Sequence, residues 1–142
     1  MSKGDTFEND IQKLIFQAVA IANIADNAAT APLTNLYVSL HTADPGEAGT
    51  QLTSESAYTG YARVAVARTS GGWAVAANVI DNVAAIAFPL CTAGSSLVTF
   101  FGVGTALSGA GKLLYSGALT ASLSISNGIT PSFAIGALDV TE

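Results

Sequence analysis

The sequence predicts a mainly β chain: a single β-sandwich or barrel (jelly-roll-like) domain with one N-terminal α-helix. Three observations carry this. Helical periodicity occurs once, near the N-terminus; from Leu36 onward apolar residues alternate with a period of two; and turn residues interrupt that alternation at short intervals. The 142 residues have the length of one domain, and no internal linker argues for two. Residues 1–142 are therefore read as one domain, with a helix over 5–24 and a β region over 33–142.

The helix rests on Phe7, Ile11, Leu14, Ile15, Ala18, Ile21 and Ala22, which recur at steps of three and four and form one apolar stripe. Asp5 suits the N-cap, and Glu8 three residues on approximates a capping box at the positive end of the helix. Asn23, Asp26 and Asn27 supply a stop, and an alanine-rich loop runs to Pro32. Burial of such side chains is worth about 1.5–3 kcal/mol each, so the stripe must dock on the chain's own sheet or on a neighbour.

The strands follow in order. Leu36-Tyr37-Val38-Ser39-Leu40-His41 alternates and stops at Ala43-Asp44-Pro45-Gly46, a turn with Pro and Gly in favoured places. After a polar loop through Glu55, Ala62-Arg63-Val64-Ala65-Val66-Ala67-Arg68 forms a strand with a small apolar face. Ser70-Gly71-Gly72 turns the chain into Trp73-Ala74-Val75-Ala76, and Asn78 through Ile86 adds further strand-like segments. Leu97-Val98-Thr99-Phe100-Phe101-Gly102-Val103 is strongly strand-like. Lys112-Leu113-Leu114-Tyr115-Ser116 and Ser122-Leu123-Ser124-Ile125-Ser126 follow. Asn127-Gly128 is the strongest hairpin signal, because a type I′ turn needs positive φ at both central residues. Phe133-Ala134-Ile135 and Leu138-Asp139-Val140 close the series.

Charge is scarce: 11% of residues are charged against about 25% in an ordinary domain. Seven of the ten acids precede Tyr61, and between Asp81 and Asp139 the only charged residue is Lys112. Either Ser, Thr, Asn and Gly hydrate the surface, or partners cover part of it, where charges would be costly to desolvate. The net charge of −5 and five dispersed basic residues exclude a nucleic-acid footprint. No apolar run is long enough for a spanning helix, and the strands are too short and the aromatics too few for a membrane barrel. The N-terminus lacks the basic and apolar regions of a signal peptide, so a cytosolic site of synthesis is expected.

Catalytic constellations are wanting, and the expected role is non-enzymatic, with no cofactor and no metal. The run from Ala106 to Lys112 has phosphate-loop spacing, but Leu113, Leu114 and Tyr115 stand where a hydroxyl residue and a helix should follow. It reads as a glycine-rich loop joining two strands. His41 and Cys91 are the only histidine and cysteine, too few for the usual zinc sites and without a Gly-x-Ser-x-Gly elbow to complete a triad. His41 is expected to hydrogen-bond its adjoining turn, and Cys91 to fill space as a buried hydrophobe. Tyr58, Tyr61 and Trp73 suit core packing, an interface anchor or a sugar platform.

Three stretches carry a resemblance: Leu36-Tyr-Val-Ser-Leu-His41-Thr-Ala-Asp-Pro-Gly46; Tyr58-Thr-Gly-Tyr-Ala-Arg-Val-Ala-Val66; and Phe101-Gly-Val-Gly-Thr105 with Gly109-Ala-Gly-Lys-Leu-Leu-Tyr-Ser-Gly-Ala-Leu119. Across residues 7–140 the chain resembles a family of small tailed-bacteriophage structural proteins, described as capsid decoration (cement) proteins or as tail-fibre-like proteins. The shared residues are strand-and-turn signatures, so the resemblance transfers no functional residue. It implies a virion component made in the host cytoplasm and present in many copies. The leading expectation is a capsid decoration protein on the capsid surface, a dimer or trimer that clamps neighbouring subunits of the major capsid protein, or binds another virion protein, through many modest interfaces. The alternative is a tail-associated or fibre-like module binding a host glycan through Tyr58, Tyr61 and Trp73. The interface candidates are Phe7, Ile11, Leu14 and Ile15 on the helix, with those three aromatics.

Overall fold

The computed structural model describes residues 5–21 and 32–141. The chain is mainly β with one N-terminal helix, as the alternation predicts. In order the elements are α1 (Asp5–Gln17), β1 (Asn35–His41), β2 (Val64–Ala67), β3 (Trp73–Ala76), β4 (Val79–Asn82), β5 (Ile86–Ala87), β6 (Ser95–Gly104), β7 (Leu113–Ser126), β8 (Ser132–Phe133) and β9 (Val140–Thr141). They fall into two compact units. The first comprises Met1–Asn35, Val66–Ala85 and Phe133–Glu142, and the second Leu36–Ala65 and Ile86–Ser132.

In the first unit the helix is shorter than expected. It ends at Gln17 rather than 24, and residues 22–24 of the predicted span lie outside the described residues. The cause is a cap supplied from far along the chain. The Arg68 guanidinium donates to the Leu14 and Ile15 carbonyls, each at 2.7 Å, and to the Leu33 carbonyl at 2.6 Å. Ala18 then adopts φ 56°, and the Val19 N–H returns to the Lys13 carbonyl. A cation on the last carbonyls also complements the helix dipole, and α1 has no basic residue of its own in that turn.

The face by which α1 docks is also not the one the apolar stripe suggests. Gln12 and Phe16 are fully buried, whereas Ile11, Leu14 and Ile15 are half-buried and Ala18 is exposed. The Phe16 ring meets Trp73 edge-on at 4.9 Å, and the Gln17 side-chain amide donates to the Trp73 carbonyl. Polar side chains one turn earlier hold the tip of the β3–β4 hairpin. The Gln12 amide donates to the Asn78 carbonyl, the Asn78 N–H donates to Asn9 Oδ1, and the Asn78 side-chain amide donates to Glu8.

That hairpin has a two-residue loop, since Ala76 pairs with Val79. Its central residues, Ala77 and Asn78, have φ 49° and 65°, the type I′ combination. The expected type I′ hairpin at Asn127-Gly128 is not formed. There only Gly128 has positive φ (90°), the Ile129 N–H bonds the Ser126 carbonyl, and the next strand, β8, pairs with β5 instead of β7. A sequence such as Asn-Gly permits the tight turn but does not fix the partner of the strand that follows.

The antiparallel sheet β3-β4-β9 completes this unit. Buried Asn82 ties it to the following segment: its amide donates to the Ala84 and Ala134 carbonyls, and its oxygen accepts from the Ala137 and Leu138 N–H groups. Register pairs of Val79 with Thr141 and Ile80 with Val140 bring Asp81 beside Asp139. The hydrogen bond to Asp139, then partial desolvation and the neighbouring charge, raise the Asp81 carboxyl above its ordinary value.

The second unit is built on a sheet of order β2-β1-β6-β7. Antiparallel pairing sets Val38 opposite Val103 and Leu40 opposite Phe101. Leu36, Val38 and Leu40 on β1, Val98, Phe101 and Val103 on β6, and Ile125 on β7 are buried. The two strands expected between Lys112 and Ser126 form one long strand, β7, at the sheet's edge. It is not regular: Val98 pairs with Leu123 and Phe100 with Ala118, so residues 119–122 bulge out opposite Thr99.

Two measurements check this account. Ala77→Gly removes the cost of a left-handed alanine, about 1–2 kcal/mol, against a smaller loss of backbone entropy; the urea midpoint should rise by an amount equivalent to about 1 kcal/mol. Asp139→Asn should stabilise the protein at neutral pH by about 0.5 kcal/mol, the scale of a cross-strand like-charge contact. The raised Asp81 carboxyl takes up a proton more readily folded than unfolded, so its stabilising contribution is complete below 3.8 and lost as pH rises through the raised value. The gain from Asp139→Asn should therefore shrink in acid titrations of the melting temperature.

Candidate assembly surface

The second unit contains a polar framework that positions two surface clefts. Its centre is Arg63, 5% exposed. The guanidinium grips Glu55 bidentately, Nε to Oε1 and Nη2 to Oε2, both at 2.7 Å. It also donates to the carbonyls of Ala106 (2.8 Å) and Gly109 (2.7 Å). The Tyr61 hydroxyl donates to Glu55 Oε1 and accepts the Leu40 N–H. Burying an ion pair is costly unless the remaining donors and acceptors are satisfied, and here the Ala106 and Gly109 carbonyls and the Tyr61 hydroxyl do so. Burial first, and then the charge and hydrogen bond of Glu55, push the Tyr61 hydroxyl well above the ordinary tyrosine range, so it stays a neutral donor.

Gln51 is the second anchor and is fully buried. Its backbone N–H bonds the Ala110 carbonyl, and its side-chain oxygen accepts from the Ala106 N–H at 2.9 Å. A Cβ at Gly104 would lie 2.1 Å from this side chain, and one at Gly111 2.3 Å from its oxygen. Gly111, within the run that mimics a phosphate loop, and Gly104 before it are thus what the Gln51 side chain requires for close approach. In sequence Gln51 sits in a polar loop with no distinguishing neighbour; the paired glycines were the one available signal.

His41 is fully buried on β1. Its Nδ1–H donates to the Thr53 carbonyl and its Nε2 accepts from the Ser39 hydroxyl, each at 2.8 Å. Gly102, opposite Ser39, makes room for the pair: a Cβ there would lie 2.6 Å from His41 Nε2. Burial is the main cause holding this imidazole below its ordinary value, outweighing the Thr53 hydrogen bond and the Glu55 charge. The Cys91 thiol is buried and donates to the Ala93 carbonyl. Both groups are engaged in holding turns.

Of the predicted interface residues, Tyr58 and Tyr61 meet edge-on at 5.4 Å, and Tyr61 stacks on Phe88 at 6.3 Å. Tyr58 is 3% exposed, its hydroxyl donating to the Pro89 carbonyl, and Trp73 is fully buried in the first unit. Neither offers a ring face for a sugar to stack on. Ile11, Leu14 and Ile15 lie half-buried on α1; Phe7 is on α1, but its side chain lies outside the described residues. Among the described residues no group of three His, Cys, Asp or Glu side chains converges on a metal position, and no helix is long and apolar enough to cross a membrane.

What the framework presents outward is apolar. A cleft of about 410 Å³ lies over Glu55, Tyr61 and Arg63, rimmed by Leu52 and Leu107, which are 54% and 58% exposed. A second, of about 530 Å³, runs between residues 113–118 of β7 and the turn carrying Asp44 and Glu47.

The family model of the podophage GP4 fiber I protein gp80 matches residues 4–141. The chain belongs to that family. It is accordingly a structural protein of the phage virion, and the resemblance in its strand-and-turn motifs is borne out at that level. No curated protein matches the chain.

Arg63→Ala leaves Glu55 buried without its partner and should cost about 3–5 kcal/mol in chemical denaturation. For His41 the depressed value means stability that is present above 6.5 and lost as pH falls through the lower folded value. A urea midpoint that declines below pH 6.5, and does not do so in His41→Asn, checks the assignment.

Proposed function

We propose that this family member is a fibre component of the virion that acts by protein–protein contact and has no catalytic activity. The observation that carries the reading is the outward face of the second unit. Exposed Leu52 and Leu107 rim an apolar cleft, and the same unit has a long edge strand, β7, without a single charged residue. Leucines fixed on a rigid polar floor are what a subunit contact needs, because little side-chain or loop entropy is lost on docking. The fibre description of the family supports tail attachment.

The same surface also suits the leading expectation from sequence, a cement protein. In that second reading the chain is a dimer or trimer on the capsid surface, and its clefts hold neighbouring copies of the major capsid protein. Many weak contacts gain strength by being linked, in a fibre or on a shell. Host-glycan binding through Tyr58 and Trp73 is not part of either reading, since both rings are buried.

Immunogold electron microscopy of the intact phage separates the two. Label on the tail fibres is the expected outcome; label distributed over the head would replace the fibre reading with the cement one. Leu52→Asp with Leu107→Asp should lower incorporation into particles at least several-fold while the isolated protein keeps its melting temperature.

A further inference from the structure

Asn127 is the one asparagine of the chain that precedes a glycine. Asparagine in that position is prone to lose its side-chain amide, because the glycine nitrogen has no Cβ beside it to obstruct attack on the preceding side chain. Both residues are exposed, and a Cβ at Gly128 would meet nothing within 4 Å. Water and solvent base therefore reach the pair.

The local geometry opposes the reaction. The Ile129 N–H bonds the Ser126 carbonyl at 3.0 Å, and of the two central residues only Gly128 has positive φ (90°). These are the marks of a type II turn, whose first central residue has ψ of about +120°. There the Gly128 nitrogen is turned away from the Asn127 side chain, whereas ring closure needs both on the same side of the Cα–C bond. The attacking group is also occupied. The Gly128 N–H donates to the Cys91 carbonyl at 2.9 Å, and the Cys91 N–H returns to the Ile129 carbonyl at 2.9 Å. An amide proton held in a hydrogen bond is not free to leave.

We infer that Asn127 is a deamidation site, kept silent by the Gly128–Cys91 hydrogen bond and released when the 126–129 turn opens. In the open turn the Gly128 nitrogen loses its proton to solvent base and bonds to Asn127 Cγ. The Cγ–Nδ2 bond breaks, and Nδ2 leaves with that proton as ammonia. Water then adds across one C–N bond of the cyclic imide, its hydroxyl going to carbon and its proton to the Gly128 nitrogen. Opening at Cγ gives aspartate; opening at the main-chain carbonyl carbon gives isoaspartate. Nothing is oxidised or reduced. Either product puts a carboxylate into the stretch between Asp81 and Asp139, whose only charge is Lys112. Isoaspartate also lengthens the main chain by a carbon between Ser126 and Gly128, which displaces Gly128 and Ile129 from their Cys91 partners. The turn is then held open, so the modification preserves a record of the opening.

The test follows Asn127 by peptide mapping and mass spectrometry, with the full chain kept at mildly alkaline pH either folded or in concentrated urea. In urea Asn127 should convert before any other asparagine. In the folded protein it should convert at least about fivefold more slowly, since opening gives up at least one intramolecular hydrogen bond. Hydrogen exchange at the Gly128 amide reads the same opening, because both reactions need that N–H free. As sub-denaturing urea is added, the two rates should rise by the same factor. Asn127→Gln, which would have to close a larger ring, should abolish the conversion and keep the melting temperature. Equal rates in the folded protein and in urea would show the turn unguarded and overturn the inference. So would a conversion that does not follow Gly128 exchange, or an Asn127 that stays intact in urea.

Discussion

The Arg63–Glu55 ion pair sets the positions of most of what surrounds it in the second unit. One guanidinium reaches a carboxylate in the 50–56 loop and two carbonyls in the 105–111 loop. The same carboxylate receives the Tyr61 hydroxyl, which in turn holds the Leu40 N–H of β1. Two loops and a strand are therefore located by a single buried cation. An ion pair of this kind gives little net stability over a well-packed apolar substitute, but it fixes geometry, because each hydrogen bond is directional and none can be dropped without stranding a buried charge.

The first unit follows the same plan with another arginine. Arg68 reaches back across more than fifty residues to close the last turn of α1. Two of the five basic residues thus act inside their units. This bears on the scarcity of surface charge noted in the sequence: the few cations present are used as structural connectors, and the exterior of β6 and β7 is left to Ser, Thr, Gly and apolar side chains. Gln12, Gln51 and Asn82 extend the plan as buried amides holding turns. Among the described residues three buried polar atoms at the helix–hairpin seam, Gln12 Oε1, Trp73 Nε1 and Asn78 Oδ1, have no hydrogen-bond partner, a costly arrangement for buried groups.

What was legible in the sequence is what period and turn chemistry control. β1 and β3 lie within a residue of their expected bounds, because alternation and flanking turns agree there. The helix was recognised from its stripe, but its end and its buried face were not, since both depend on Arg68 and on the hairpin tip, far away in sequence. Asn127-Gly128 signals a hairpin that does not form, because local turn preference says nothing of which edge the next strand joins. Ala77-Asn78 went unremarked as a turn because alanine seldom adopts positive φ; its contacts with Glu8, Asn9 and Gln12 impose the conformation from outside. Tyr58 and Trp73 were placed among interface candidates on chemistry alone, and aromatic chemistry is the same in a core as on a surface.

The bulge of residues 119–122 has a consequence for how the chain behaves in quantity. A flat edge as long as β7 would let one molecule add to the next without limit, as in fibrillar stacks. The four-residue excursion opposite Thr99 interrupts the straight run, and the strand resumes only at Leu123. A second register shift, at Leu114 between the Val103–Tyr115 and Gly104–Leu113 pairs, breaks the run again near its other end. The edge is thus denied the flat, continuous run that an open-ended sheet requires. For a structural protein of the phage virion, this interruption is a safeguard against open-ended association.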